Sequence, residues 1–171
     1  RVIPFFTGYV ISDFKPKTYS WLEVSTHAST VLFALAAVWN EFSLLTAVLG
    51  ALACISHFFR WLGWSHRRIP RIPILLILHI GYLFLPLGFA LKSLAALGLL
   101  APTLATHALT VGALGIIIYG MITRVSLGHT GRPIQSTPMI HFSYCLVILA
   151  AFVRVIGPWT LPAQSQIWWD S

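Results

Sequence analysis

Histidines are the residues of this chain whose type and spacing point most directly to chemistry. Neutral imidazole binds haem iron and copper, and histidine also exchanges protons near neutral pH. A histidine in apolar surroundings is costly unless it holds a ligand or a hydrogen bond. A metal centre, a haem site and a proton relay are therefore candidate functions, against the simpler reading that each imidazole bonds to a neighbouring helix. The seven histidines are His27, His57, His66, His79, His107, His129 and His141.

Four of these histidines are candidate metal ligands. His57 and His79 lie at similar depth in consecutive antiparallel segments, so their rings are expected to face one another. His27 and His141 lie near the starts of their segments, on the same side. Cys54 precedes His57 by three residues, which places both on one helix face and suits copper, although a cysteine there also packs as a small apolar side chain. The predicted metal ligands are therefore His27, His57, His79 and His141.

Arginines at matching height are candidate partners for an anion. Arg60, Arg124 and Arg132 are expected near the same side of the molecule as most of the histidines. A guanidinium fork binds haem propionates, a substrate anion or a lipid phosphate, and spacing does not choose among these. Arg132 belongs to Gly128–Pro133, whose glycines permit a tight loop and whose proline stops a helix. That segment is either an anion or cofactor clamp or an ordinary polar turn.

The elements that carry these residues are predicted to be membrane-spanning helices. The chain is 57% hydrophobic and 9% charged, whereas soluble domains carry roughly 25% charged residues. A bilayer core about 30 Å thick needs roughly 20 apolar residues in a helix. Five runs near that length lie at about residues 22–39, 42–63, 72–92, 103–124 and 138–157. We predict an all-α, polytopic transmembrane helix bundle that forms a single domain over residues 1–171.

The basic residues predict how the bundle is oriented. Alternating the five spans places nine of the eleven Lys and Arg residues on the side of the N-terminus, which the positive-inside rule makes cytoplasmic. Because these residues lie at span ends, membrane lipid and not nucleic acid is the expected partner. Six of the seven histidines gather toward the same side, and His107 lies in the opposite leaflet. Ile167–Trp169 is expected to begin a further span, and the chain to be part of a longer protein.

Four stretches of the chain resemble the NnrS family of bacterial membrane proteins. The most specific is MITRVSLGHTGRP, from Met121 to Pro133. The others are RVIPFFT at residues 1–7, HIGYLFLPLG at residues 79–88 and HALTVGA at residues 107–113. They occur in consistent order along essentially the whole chain. The chain is similar to the C-terminal half of these longer proteins, without their final helix.

The resemblance implies a protein of the bacterial inner membrane that binds haem and copper and acts in nitric oxide metabolism or nitrosative stress, as in denitrification. The resemblance favours His79, His107 and His129 as cofactor-binding residues, because they lie in the matching stretches. Arg124 and Arg132 complete the predicted cofactor-binding set. Because His107 belongs to the other leaflet, either each leaflet holds a site or His107 is structural. A ligand supplied by the other half of the family's proteins would be needed to complete a site that lacks one here.

The expected function is therefore haem and copper binding in the response to nitric oxide, with nitric oxide as a candidate ligand and an electron donor as a candidate partner. Catalysis is left open, because the sequence offers no acid–base pair beyond histidine. The alternative is a transporter or channel in which histidines relay protons or a solute. A structural subunit without a cofactor is the third possibility. Transporters commonly contain an internal repeat or a pair of broken helices, and neither feature is visible in this sequence.

Overall fold

The described part of the chain is helical and contains no β-strand. The computed structural model describes residues 2–160, with side chains described as far as Pro158. Five of its helices are long and apolar enough to cross a membrane, which confirms the predicted all-α, polytopic fold. The predicted start of a further span at Ile167–Trp169 lies outside the described residues. The helices are α1 (Val2–Val10), α2 (Ser20–Trp39), α3 (Leu44–Leu62), α4 (Pro73–Ala96), α5 (Pro102–His107), α6 (Ile116–His129) and α7 (Pro138–Thr160), with a 3₁₀ turn at Ile69–Arg71 and a π-helical segment at Ala108–Gly115.

Two spans run further than the apolar pattern predicts. The predicted ends at residues 92 and 124 fall on Lys92 and Arg124, the first charged residues of their runs, whereas α4 continues to Ala96 and α6 to His129. Both helices end where a glycine adopts a positive φ, +72° at Gly98 and +67° at Gly131. A glycine there closes the last turn at no steric cost. Gly98 and Gly131 therefore mark the ends of the two helices, whereas the charged side chains of Lys92 and Arg124 lie inside them.

The last turn of α6 has the hydrogen bonds of a Schellman motif. The amide of Arg132 donates to the carbonyl of Leu127 at 3.1 Å, and the amide of Gly131 donates to that of Gly128 at 3.3 Å. His129, expected in a loop, is therefore the last residue of α6. The end of α6 therefore explains why Gly131 and Pro133 occur in this segment, and no bound ligand is needed to explain them.

A short N-terminal helix was not predicted from the sequence. Helix α1 has nine residues, too few to cross a bilayer. It buries Ile3 and Thr7 and packs against α4. Helix α1 therefore lies against the end of the bundle where α4 begins. This position brings Thr7 close to His79 of α4.

Helix α4 is the centre of the bundle. Among the 18 most apolar consecutive residues of α4, 61% are buried inside the protein, whereas the corresponding share is 17% in α7 and 22% in α2. The fourth span, formed by α5, the π segment and α6, approaches α4 closely through glycines. A Cβ atom added at Gly81, Gly88, Gly112 or Gly120 would overlap a side chain of the facing helix. Such close contact through small residues is typical of helices that pack in a membrane.

Candidate functional site

A large cavity lies between α1, α2 and α3. It has a volume of about 930 Å³, within the range usual for small-molecule and cofactor sites. Helix α2 lines it with His27 and Glu23, α3 with Arg60, and Trp64 follows α3. Apolar contacts come from residues such as Val31. The cavity therefore combines an imidazole, an ion pair and apolar walls.

His27, which lines this cavity, has one imidazole nitrogen without a hydrogen-bond partner among residues 2–160. Its Nδ1 lies 2.6 Å from the carbonyl oxygen of Glu23, one turn earlier in α2. A carbonyl can only accept, so Nδ1 carries a hydrogen, and in the neutral imidazole Nε2 has the lone pair. Among residues 2–160 no hydrogen bond is made by Nε2. Histidines that bind metals in proteins commonly donate their second nitrogen to a carbonyl in this manner.

A salt bridge fixes the polar wall of the cavity. Arg60 donates from Nε and Nη2 to the two carboxylate oxygens of Glu23 at 2.8 and 2.7 Å. Its guanidinium also lies 4.7 Å from the ring centre of Trp64. Arg60 was a candidate partner for an anion, but its charge is already matched by Glu23. The pair instead joins α2 to α3 beside His27.

His57 uses both ring nitrogens within the protein. Thr30 donates its hydroxyl to the carbonyl of Thr26 at 2.8 Å and so accepts from His57 Nε2 at 3.0 Å. The Nδ1 atom then accepts from the hydroxyl of Tyr82 at 2.8 Å. Neither nitrogen is directed at His79. Metal binding by His57 stays a prediction, and it requires one of these hydrogen bonds to break.

His79 is buried and keeps one nitrogen without a partner. Thr7 of α1 donates its hydroxyl to the carbonyl of Ile3 at 2.9 Å and so accepts from His79 Nε2 at 3.2 Å. The opposite nitrogen, Nδ1, is buried and has no hydrogen-bond partner in the described part of the chain. His79 also lines a cavity of about 170 Å³ together with Trp61 and His66. His79 therefore remains a candidate ligand, held by a threonine that the sequence did not single out.

The remaining predicted residues lie apart from these two cavities. His129 and Arg124 line a third cavity, of about 360 Å³, between α6 and α1. His107 ends α5 just before the π segment and has a buried Nδ1 without a partner in residues 2–160. His141 bonds through Nε2 to the hydroxyl of Ser136 at 2.6 Å. Arg132 is exposed.

The predicted ligands are thus spread over several places. Within the described residues, no group of three or more histidine, cysteine, aspartate or glutamate side chains is close enough to hold one metal ion. Each candidate site therefore offers one or two imidazoles. Ligation by His27, His79, His107, His129 and His141 remains a prediction.

Comparison with known families identifies the chain. The family model described as NnrS protein matches residues 1–171, the whole chain. The chain belongs to the NnrS family. It is therefore a membrane protein related to nitric oxide. Comparisons with curated proteins and with solved structures found no match.

The stretches that carry the NnrS resemblance meet in the structure. Thr7, from the first stretch, bonds to His79, which opens the second. Phe6, beside Thr7, covers Arg124 from the fourth stretch, MITRVSLGHTGRP, with 3.9 Å between the guanidinium carbon and the ring centre. Helix α1 therefore joins α4 to α6. Sequence reasoning missed Thr7 and Phe6, although both lie in a stretch that it had singled out.

Proposed function

We propose that this chain binds haem and acts in the bacterial response to nitric oxide. Its membership of the NnrS family supports the link to nitric oxide. The observation that carries the haem proposal is His27, which lines a cavity of about 930 Å³ and whose Nδ1 is held by a backbone carbonyl at 2.6 Å, so that Nε2 is left for a ligand. In this proposal His27 would hold the haem iron through Nε2.

The residues of the cavity fit such a group. Valine and alanine of α2, with Pro4 and Trp64, give apolar contacts for a flat macrocycle. The Glu23–Arg60 pair adds a polar edge that carries no net charge. When bound, haem supplies an iron that takes nitric oxide as a ligand or passes an electron. The chain holds and orients the imidazole and keeps the apolar wall in place.

Copper is the second proposed cofactor, and its candidate site is the cavity of about 170 Å³ that His79 lines. His79 Nδ1 has no partner there among residues 2–160, and His66 lines the same space. Two imidazoles suit copper better than magnesium or calcium. His66 Nδ1 accepts from the amide of Arg68 at 3.3 Å, so binding through Nδ1 would break that bond.

The proposed location is the bacterial cytoplasmic membrane, with the N-terminus of this chain on the cytoplasmic side. The five apolar helices support a membrane protein, and the predominance of basic residues at one end supports the orientation. Membrane lipid and an electron donor are the proposed partners besides nitric oxide.

The test is an absorption spectrum of the full-length protein purified in detergent, oxidised and reduced, before and after nitric oxide. We expect a Soret band that shifts when nitric oxide is added. The variant His27→Ala is expected to lose haem or shift the band. The matched control is His141→Ala, because His141 lies in a different helix and its Nε2 is held by Ser136. A His27→Ala protein with an unchanged spectrum and full haem content would contradict the assignment, and absence of haem from all preparations would contradict the proposal.

A proton or solute relay is the alternative, and the hydrogen bonds of His57 to Thr30 and Tyr82 favour it. Hydrogen bonds connect Thr30, His57, Tyr82, Arg60 and Glu23 in that order, from the inside of the bundle to the large cavity. A guanidinium does not release its proton, so Arg60 interrupts the path between Tyr82 and Glu23. Proton uptake by reconstituted vesicles, lost in His57→Gln and unaffected by haem content, would favour this alternative.

A further inference from the structure

Arg124 is a buried charge that the described chain does not neutralise. It is 5% exposed, and its Nη1 has no hydrogen-bond partner among residues 2–160. Its guanidinium carbon lies 3.9 Å from the ring centre of Phe6 and 5.9 Å from that of Tyr9. A guanidinium stays protonated in proteins, and burying it without an anion is strongly unfavourable. Aromatic rings offset only part of that cost.

Each acidic residue in the described part of the chain already forms a salt bridge with another basic residue. Of the four in the chain, Glu23 pairs with Arg60 at 2.7 Å, Asp13 with Arg68 at 2.9 Å and Glu41 with Lys92 at 3.0 Å. The fourth, Asp170, lies outside the described residues. The described chain therefore supplies Arg124 with no carboxylate, and the counter-charge must come from elsewhere.

The cavity beside Arg124 has room for that counter-charge. Its volume is about 360 Å³, and it is lined by Phe6 and Tyr9 of α1 and by Arg124, Gly128 and His129 of α6. An added Cβ at Gly128 would meet nothing within 4 Å, so the backbone there leaves open space. The cavity lies at the end of α6. It shares no lining residue with the large cavity of the proposed function.

We infer that this cavity binds an oxyanion, with the guanidinium of Arg124 as its main partner. The planar fork donates two parallel hydrogen bonds to a phosphate or a similar group, which a lysine cannot do. His129 at the rim offers a third donor, and Tyr9 a hydroxyl. The oxyanion is either the headgroup phosphate of a membrane lipid or a free inorganic oxyanion. Both sources have the same chemistry at Arg124.

The experiment uses the full-length protein in detergent and compares wild type with Arg124→Gln and Arg124→Lys. The control is Arg67→Gln, because Arg67 is an exposed arginine of the loop before α4. Native mass spectrometry measures phosphatidylglycerol carried through purification. Melting temperature, recorded as inorganic phosphate or nitrate replaces chloride at constant ionic strength, measures binding of a free oxyanion.

We expect wild type and Arg67→Gln to keep the lipid or to gain stability with the oxyanion. Arg124→Gln should do neither, and Arg124→Lys should weaken the apparent Kd by about tenfold or more. Retained lipid identifies a headgroup site, and a response to phosphate or nitrate identifies a free-oxyanion site. The inference is overturned if wild type shows neither, or if Arg124→Gln responds as wild type does. It is also overturned if Arg124→Gln melts well below wild type without lipid or oxyanion, because Arg124 would then be paired inside the protein.

Discussion

At the scale of single residues, hydroxyl groups decide which imidazole nitrogens are free. Thr30 and Tyr82 bind both nitrogens of His57, whereas Thr7 binds one nitrogen of His79 and leaves the other. His27 needs no second side chain, because its own helix supplies the carbonyl. Three histidines of similar surroundings in the sequence therefore differ in how many of their ring nitrogens already have a hydrogen-bond partner.

Thr7→Val tests the contact that holds His79. Removing the hydroxyl leaves His79 Nε2 buried without its partner, which we expect to lower the free energy of unfolding by about 0.5–2 kcal/mol. The control is Thr106→Val, because Thr106 bonds to the carbonyl of Pro102 in its own helix and is exposed. The measurement is thermal or detergent-induced unfolding of the full-length protein. Equal effects of the two substitutions would show that the bond between α1 and α4 adds nothing.

At the scale of helices, glycines fix where the spans end and how closely they pack. Gly98 and Gly131 end α4 and α6 in the left-handed conformation, and four glycines at the interface let the fourth span approach α4. The extension of α6 to His129 places that residue in the last helical turn, next to the Arg124 cavity. Helix termination thus determines which residues line the cavity.

Gly131→Ala tests the helix end. A side chain at φ +67° is strained, and we expect a loss of about 1 kcal/mol in unfolding free energy. Gly128→Ala is the matched control, because Gly128 lies in α6 with open space around its Cα and without a positive φ. It should stabilise by up to about 1 kcal/mol, since alanine is the better helix former. Thermal unfolding of both variants measures the difference, and destabilisation by Gly128→Ala alone would contradict the assignment of the cap.

At the scale of the whole molecule, the bundle is asymmetric. Helix α4 is surrounded, whereas α2 and α7 expose large apolar side chains such as Trp21, Leu35, Phe142 and Leu149. In a membrane these faces meet lipid or other helices. The helix bounds put the two larger cavities, His27, His79 and Arg124 toward the end of the bundle where α1 lies. Ligand binding is therefore expected at one side of the membrane.

Labelling of single cysteines tests the orientation. In a Cys54→Ala, Cys145→Ala background, Gln135→Cys lies in the connection before α7 and Leu99→Cys in the connection after α4. A membrane-impermeant maleimide should label Gln135→Cys in inverted vesicles and Leu99→Cys in right-side-out vesicles, because basic residues favour the cytoplasmic side. Each variant is the control for the other. The reverse pattern would place the N-terminus outside, and labelling of both from one side would contradict the alternation of the spans.

The sequence by itself determined the class of the protein. Apolar run length identifies five spans, because each must match the thickness of a bilayer, and the stretch MITRVSLGHTGRP identifies the family before any coordinates are known. These features depend on local sequence. They also placed most of the histidines near one end of the bundle.

Only the tertiary structure decided which of these residues are available for binding. Whether His57 is occupied depends on Thr30 and Tyr82, and whether Arg124 is neutralised depends on carboxylates elsewhere in the chain. Such contacts join residues far apart in sequence, so neither hydrophobic periodicity nor motif spacing reports them. The contact between α1 and His79 was missed for the same reason, because the pattern of residues 2–10 does not show that Thr7 packs against a residue 72 positions away.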